Sequence, residues 1–276
     1  MKGKNIKLSD KTTHALGAIV FLDALGTKMS WTNKEPKKYI DTFENILKSF
    51  KSGKKEYDGV AEEFQNDPES NFLKLEIRSF SDTVIMFLYE QFDRVKDKYD
   101  RLYGLYQLAS LGIILSESFY KAIKKGIYFR GVIGFGEYHF SKNMIIGPAV
   151  EEAAEWFERP DWIGISTTPS ATYGLQLLKE RGKFPPEYMP YDVPMKDGKN
   201  IDSFALLWPL QNLSWNKKVN PKEADKMLKK VRKKVLESFS LEKSIGISSE
   251  SKYNNTLRFI DCVKARYGSD NKSKNC

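Results

Sequence analysis

The chain has 276 residues, with 41% hydrophobic and 13% aromatic side chains and a formal net charge of +9. Such a composition supports a packed core and excludes global disorder. Two cysteines and two histidines exclude a disulfide framework and a histidine-rich metal site. The N-terminal stretch "MKGKNIKLSDKTTHALG" is polar, without the apolar centre of a signal peptide. No run approaches the roughly 18 apolar residues that span a bilayer. A soluble, cytoplasmic protein without a membrane partner is expected. The positive charge gathers in "NKKVNPKEADKMLKKVRKK" and at both ends; it is read as a solvated lysine surface, since no nucleic-acid signature accompanies it.

In chain order, "LGAIVFLD" predicts a strand buried on both faces. "KKYIDTFENILKSF" spaces Tyr39, Phe43, Ile46, Leu47 and Phe50 as an amphipathic helix, and a polar loop follows. "FLKLEIRSFSDTVIMFLY" predicts two strands about a tight turn at Ser81-Asp82. A long helix with a broad apolar stripe ends at Gly126, and "IYFRGVIGFGEYHF" reads as glycine-punctuated strand. "GPAVEEAAEWFER" opens a helix with Pro148 in its first turn. "WIGIS" predicts a strand, "TPSATYGLQLLKER" a helix and "YDVPMKDGKNIDSFALLWP" a hairpin. Two lysine-rich helices close the chain, near Lys222–Phe239 and Glu250–Tyr267. The order β-α-β-β-α-β predicts an α+β, ferredoxin-like antiparallel sheet backed by helices. Residues 1–210 are read as one catalytic domain and 211–276 as a helical extension packed on it.

Two carboxylates stand out. Asp23 ends the first strand and Asp82 sits in the hairpin turn, and in such a sheet the two are neighbours. Either alone is as well read as a cap or turn residue. Together, without histidine, they suit a hard cation that shares its remaining ligands with a phosphate. The loop after Asp23, "ALGTK", adds Gly26, which permits close backbone approach, Thr27, and the charge of Lys28.

"FLDALGTK", "IRSFSDTVIMF", "FRGVIGFGEY" and "IIGPAVEEAAEWFE" occur in the order found in class III nucleotidyl cyclases, and the chain resembles that family over about Ala18 to Pro209. Within it, the resemblance is to the pyrimidine cyclases of the bacterial Pycsar anti-phage system. It implies a class III cyclase-like fold that makes cyclic UMP from UTP, releasing pyrophosphate, as an anti-phage second messenger. A cytidylate cyclase, or an inactive nucleotide-binding domain, is the alternative. By resemblance Asp23, Ala24 and Asp82 hold two Mg²⁺ or Mn²⁺ ions. Arg78 and Met144 stand at the base-reading positions, and Met144 cannot accept a hydrogen bond from an adenine amino group. Arg78 alone reads equally well as a solvated strand arginine.

The family's transition-state asparagine and arginine correspond by spacing to Glu151 and Glu155. Arg130 is therefore the expected catalytic cation, and Lys196, with Lys199 second, the expected triphosphate contact. Either lysine is also an ordinary hairpin residue. The resemblance further implies a homodimer with composite sites, in which Arg130 or Lys196 faces the aspartates across the subunit interface.

Overall fold

The computed structural model describes residues 12–25, 37, 40–52, 73–90, 101–210, 219–241 and 247–269. The strands are β1 (Thr13–Leu25), β2 (Leu73–Phe80), β3 (Thr83–Glu90), β4 (Tyr128–Phe140), β5 (Ile145–Ile146), β6 (Gly164–Thr167), β7 (Tyr188–Pro194) and β8 (Asn200–Leu206). The helices are α1 (40–52), α2 (Arg101–Lys124), α3 (Pro148–Trp156), α4 (Pro169–Glu180), α5 (Pro221–Leu241) and α6 (Ile247–Tyr267). Eight strands form one sheet in the order β2-β3-β1-β4-β6-β8-β7, with β5 paired to β4. Among the described residues, no helix is long and apolar enough to cross a membrane.

The fold is α+β, as the sequence predicts, with one refinement. The pair β4–β6 is parallel, because α3 lies between the two strands and returns the chain to the same end of the sheet. The first strand is also longer than its apolar run. Thr13–Ala15 pair with Phe140–Tyr138 at the far end of β4, so a segment that reads as a polar tail is held by its partner strand.

Period-two alternation splits β1 between two cores. Ala18, Val20, Leu22 and Ala24 face the larger core with Phe43, Ile46 and Phe50 of α1 and Leu108, Leu111, Leu115 and Phe119 of α2. Ile19 and Phe21 face a smaller one with Phe87, Val132, Tyr138, and Ala149 and Ala153 of α3. Asp23 continues the second series, two residues beyond Phe21. It therefore lies on the α3 face, just past that face's apolar patch.

The C-terminal helices rest on the larger core. Phe259 of α6 packs edge-on against Trp162, with ring centroids 4.7 Å apart, and against Tyr191 at 4.9 Å. Asn255 Nδ2 donates to the Asp161 carbonyl at 2.7 Å, and the Ile163 amide donates to Thr256 Oγ1 at 2.8 Å.

Candidate functional site

One row of paired residues crosses five strands: Phe80 on β2, Thr83 on β3, Asp23 on β1, Arg130 on β4 and Gly164 on β6. Asp23 and Arg130 are direct cross-strand partners, and Arg130 Nη2 donates to Asp23 Oδ2 at 2.7 Å. The neighbouring pair is Leu22–Gly131. A Cβ on Gly131 would stand 2.4 Å from the Phe21 carbonyl oxygen and 2.5 Å from Leu22 Cδ2. Only glycine lets the two strands close at the rung beside the ion pair.

The turn after β2 brings Asp82 to the same place. Phe80 pairs with Thr83, so Ser81 and Asp82 alone make the turn. Ser81 takes φ 56°, a left-handed conformation that costs a non-glycine residue of order 1 kcal/mol. The Ala24 amide donates to the Asp82 carbonyl at 3.0 Å. This bond ties the turn to the residue following Asp23.

Burial raises the Asp23 carboxyl above its ordinary value. Arg130 opposes the shift through its charge and hydrogen bond, and the charges of Asp82 and Glu158 add to it. The Asp23 side chain keeps 21% of its exposure, whereas Arg130 as a residue keeps only 5%. Arg130 Nε and Nη1 are buried with no hydrogen-bond partner. A buried guanidinium that uses one of its three nitrogens is an unfinished site, because unsatisfied donors in a protein interior cost stability.

The donor set fits a hard divalent cation of the Mg²⁺ or Mn²⁺ type. Asp23 and Asp82 supply adjacent carboxylates, and Asp23 is under-compensated where it stands. Such ions bind through one or two carboxylates and complete their shell with water and phosphate oxygen. Among the described residues no group of three or more metal-ligating side chains occurs, so phosphate would have to provide the remaining ligands.

Lys196 reaches the same neighbourhood through its loop. Its amide donates to the Arg159 carbonyl at 2.9 Å, and the Asp161 amide donates to the Pro194 carbonyl at 2.8 Å. Lys199 closes the same turn, its carbonyl accepting from Met195 N at 2.8 Å. Lys252 on α6 joins the group, from outside the motifs read in the sequence. Burial lowers its pKa, Arg130 and Lys196 push it further down, and Asp161 and Asp23 oppose them. Asp23, Asp82, Arg130, Lys196 and Lys252 therefore share one electrostatic environment.

The base-reading candidates do not join them. Arg78 lies on the Asp23 face of the sheet, since its partner Ile85 pairs with Phe21. Its side chain runs the other way: Nη2 donates to the Ser141 carbonyl, and the guanidinium carbon lies 5.2 Å from the Phe87 ring centroid. Met144, 58% exposed, is at the same turn, its carbonyl accepting from Ser141 N at 2.8 Å. Arg78 and Met144 are thus drawn together at the β4–β5 turn.

Arg130, one of the two residues expected to face the aspartates across a subunit interface, pairs with Asp23 of its own chain instead, because β1 and β4 are adjacent strands in register. Glu151 and Glu155 are both exposed, and Glu155 pairs with Arg159 one turn on. The acid of α3 that turns inward is Glu152, accepting from Thr168 Oγ1 at 2.8 Å and Ser170 N at 3.0 Å. Gly26, Thr27 and Lys28 lie outside the described residues.

No protein-family model matches the sequence, and no curated protein matches it at a significant level. Solved structures do. The catalytic core of a rhodopsin-guanylyl cyclase with converted specificity, in complex with ATPαS, is similar at 12% identity over 71% of this chain and 98% of its own, with a TM-score of 0.46. The adenylyl cyclase CyaB from P. aeruginosa is similar at 13% identity over 74% and 100%, with a TM-score of 0.45. An adenylate/guanylate cyclase/hydrolase from Silicibacter pomeroyi is similar at 14% identity over 71% and 99%, with a TM-score of 0.39. Scores this low carry no function from one chain to another; what this site can do follows from its own side chains.

Proposed function

We propose that the chain is a nucleotidyl cyclase acting on a pyrimidine nucleoside triphosphate, UTP before CTP, and that its product serves as an anti-phage second messenger, as the sequence resemblance implies. The observation that carries the reading is the Asp23–Arg130 rung with Asp82 fastened beside it: two carboxylates for a cation, and a buried guanidinium with two donors left to give. In the reaction the ribose 3′-oxygen forms a bond to the α-phosphorus, the bond from that phosphorus to the bridging oxygen breaks, and pyrophosphate leaves. Divalent cations bound to Asp23 and Asp82 would supply an acidified 3′-hydroxyl and charge neutralisation at the leaving group.

The protein's own work is positioning and electrostatics. Arg130 holds Asp23 in place through Nη2 and offers Nε and Nη1 to phosphate oxygens. Lys196 adds a second positive charge from the β7–β8 loop. Arg78 donates to base carbonyls. A guanidinium carries five N–H groups, and the bond to Ser141 occupies only part of it. Uracil presents two carbonyl acceptors, whereas cytosine replaces one with an amino donor. Met144 offers an adenine amino group no acceptor.

Arg78 and Met144 meet at the β4–β5 turn and not beside Asp23 and Asp82, which supports the reading of a homodimer whose partner subunit brings the base-reading pair to the metal-binding one. The expected product of incubation with Mn²⁺ and each of the four nucleoside triphosphates is cyclic UMP with pyrophosphate, resolved by mass. No cyclic product from any of them would overturn the activity, and a preference for ATP or GTP would overturn the pyrimidine assignment. Mixing Asp82→Ala with Arg78→Ala chains should restore the UTP preference that Arg78→Ala loses, because one composite site in each heterodimer regains both residues. Heterodimers that form without recovery would overturn the shared site.

A further inference from the structure

We propose that Lys252 of the C-terminal helix completes an anion-binding cluster with Arg130 and Lys196 and holds the polyphosphate of the substrate. The identity of the anion rests on the cyclase reading; the cluster itself does not.

Helical spacing places the lysine. Lys252, Thr256, Phe259 and Val263 follow at i, i+4, i+7 and i+11, one stripe of α6. Thr256, Phe259 and Val263 are fully buried, and Lys252 is half-buried at the stripe's near end. A lysine on the core-facing stripe, rather than among the solvated residues opposite, packs its stem and leaves its ammonium to find polar surroundings. The helix backbone at this residue is fixed by two bonds. Thr256 Oγ1 donates to the Lys252 carbonyl at 2.6 Å and accepts from the Ile163 amide at 2.8 Å. Ile163 precedes Gly164, the strand partner of Arg130. Asn255, on the same turn, holds the Asp161 carbonyl at 2.7 Å. The base of Lys252 is therefore tied to the segment beside the Asp23–Arg130 row.

A second observation points to an anion. Arg130 is buried with two nitrogens unpartnered; its strand partner Gly164 follows Ile163, to which α6 is bonded, and the Lys196 amide is bonded to Arg159 at the start of the same segment. Three cations drawn into one partly desolvated place repel one another. A phosphate chain relieves that repulsion and gives the orphaned donors charge-assisted acceptors.

The test is calorimetric titration of the full chain with inorganic tripolyphosphate, without nucleotide or divalent cation. Lys252→Ala should weaken binding by roughly tenfold or more, the effect of one hydrogen bond to a charged group. Lys252→Met, which keeps the packed stem, should weaken it as much, and Lys252→Arg should retain it. Lys230→Ala, which removes an exposed charge from α5, should bind as wild type does. Undiminished affinity in both Lys252→Ala and Lys252→Met would overturn the proposal. So would an equal loss in Lys230→Ala, or no tripolyphosphate binding by the wild type. Turnover is read separately: absence of product from all four nucleoside triphosphates would overturn the cyclase reading and leave the titration to decide the cluster.

Discussion

The sheet buries acidic charge in two places and treats it in opposite ways. At the end of β1, Asp23 is met by Arg130 at 2.7 Å and by no full enclosure. Beside the start of β7, Glu187 is 2% exposed, and its Oε2 has no hydrogen-bond partner. Its Cβ lies 3.0 Å from where a side chain on Gly112 of α2 would begin, so the helix backbone seals it. Burial pushes the Glu187 carboxyl from its ordinary 4.5 up to about 7. Glu187 meets burial by holding its proton up to about pH 7; Asp23 meets it with a cation beside it. A carboxyl that holds a proton is finished as a structural element. One that shares a half-used arginine and sits beside a second aspartate is prepared for something that arrives later.

The largest way to break this contrast is Asp23→Ala. It strands a guanidinium that is 5% exposed, and removing one partner of a buried pair costs about 3–5 kcal/mol. The partial exposure of Asp23 places the expected loss at the lower end, read as a shift in the urea midpoint. Asp23→Ala therefore reports stability as well as cation binding. Asp82→Ala is the cleaner test of the cation: the Ala24–Asp82 bond uses backbone atoms and survives the substitution. The expected outcome is loss of cyclisation with a smaller shift of the unfolding midpoint than Asp23→Ala gives.

Glu187→Gln sharpens the other half. A folded pKa of about 7 against 4.5 in the unfolded chain stabilises the fold fully below pH 4.5 and is lost as pH rises through about 7. At about 1.4 kcal/mol per pKa unit, the span is on the order of 3 kcal/mol. The glutamine variant removes that dependence. It should be more stable than wild type at pH 8 and similar at pH 4.5, by denaturant melts across the range. A wild-type melt that does not weaken across that window would show that Glu187 ionises without penalty.

The smallest effect belongs to Arg78→Ala. Losing the contact with the Phe87 ring costs about 0.5–1 kcal/mol, and the bond to Ser141 adds a similar amount. Preference among UTP, CTP, ATP and GTP should relax. An unchanged preference would remove Arg78 from base reading and leave it the clasp of the β4–β5 turn.

What the sequence makes legible here is what local pattern controls. Asp23 is visible as the charge at the tip of an apolar run, and Asp82 as the acid in a two-residue turn. Strand order then makes them neighbours without any knowledge of side-chain geometry. Arg130 is visible as a charge entering an apolar strand, but its partner depends on register across more than a hundred residues. The Arg78–Ser141 bond was out of reach because it depends on how the far end of β4 bends back over the sheet. Lys252 left a faint trace: a lysine one turn before Thr256, Phe259 and Val263, on the stripe where a solvated helix would keep only apolar groups. Its meaning needed the docking of α6 on the segment from Asp161 to Ile163.

The seating of α6 also orders events during synthesis. Asp23, Asp82, Arg130 and Lys196 all precede Lys252 in the chain, so the ribosome releases the rest of this cluster before the helix that carries Lys252. Until this helix is made, the emerging polypeptide lacks one of the cationic groups together with Phe259, Ile260 and Val263 of the larger core. A chain interrupted before that helix would carry the two aspartates and the arginine with the lysine missing, so unfinished translation products are expected to grip phosphate poorly.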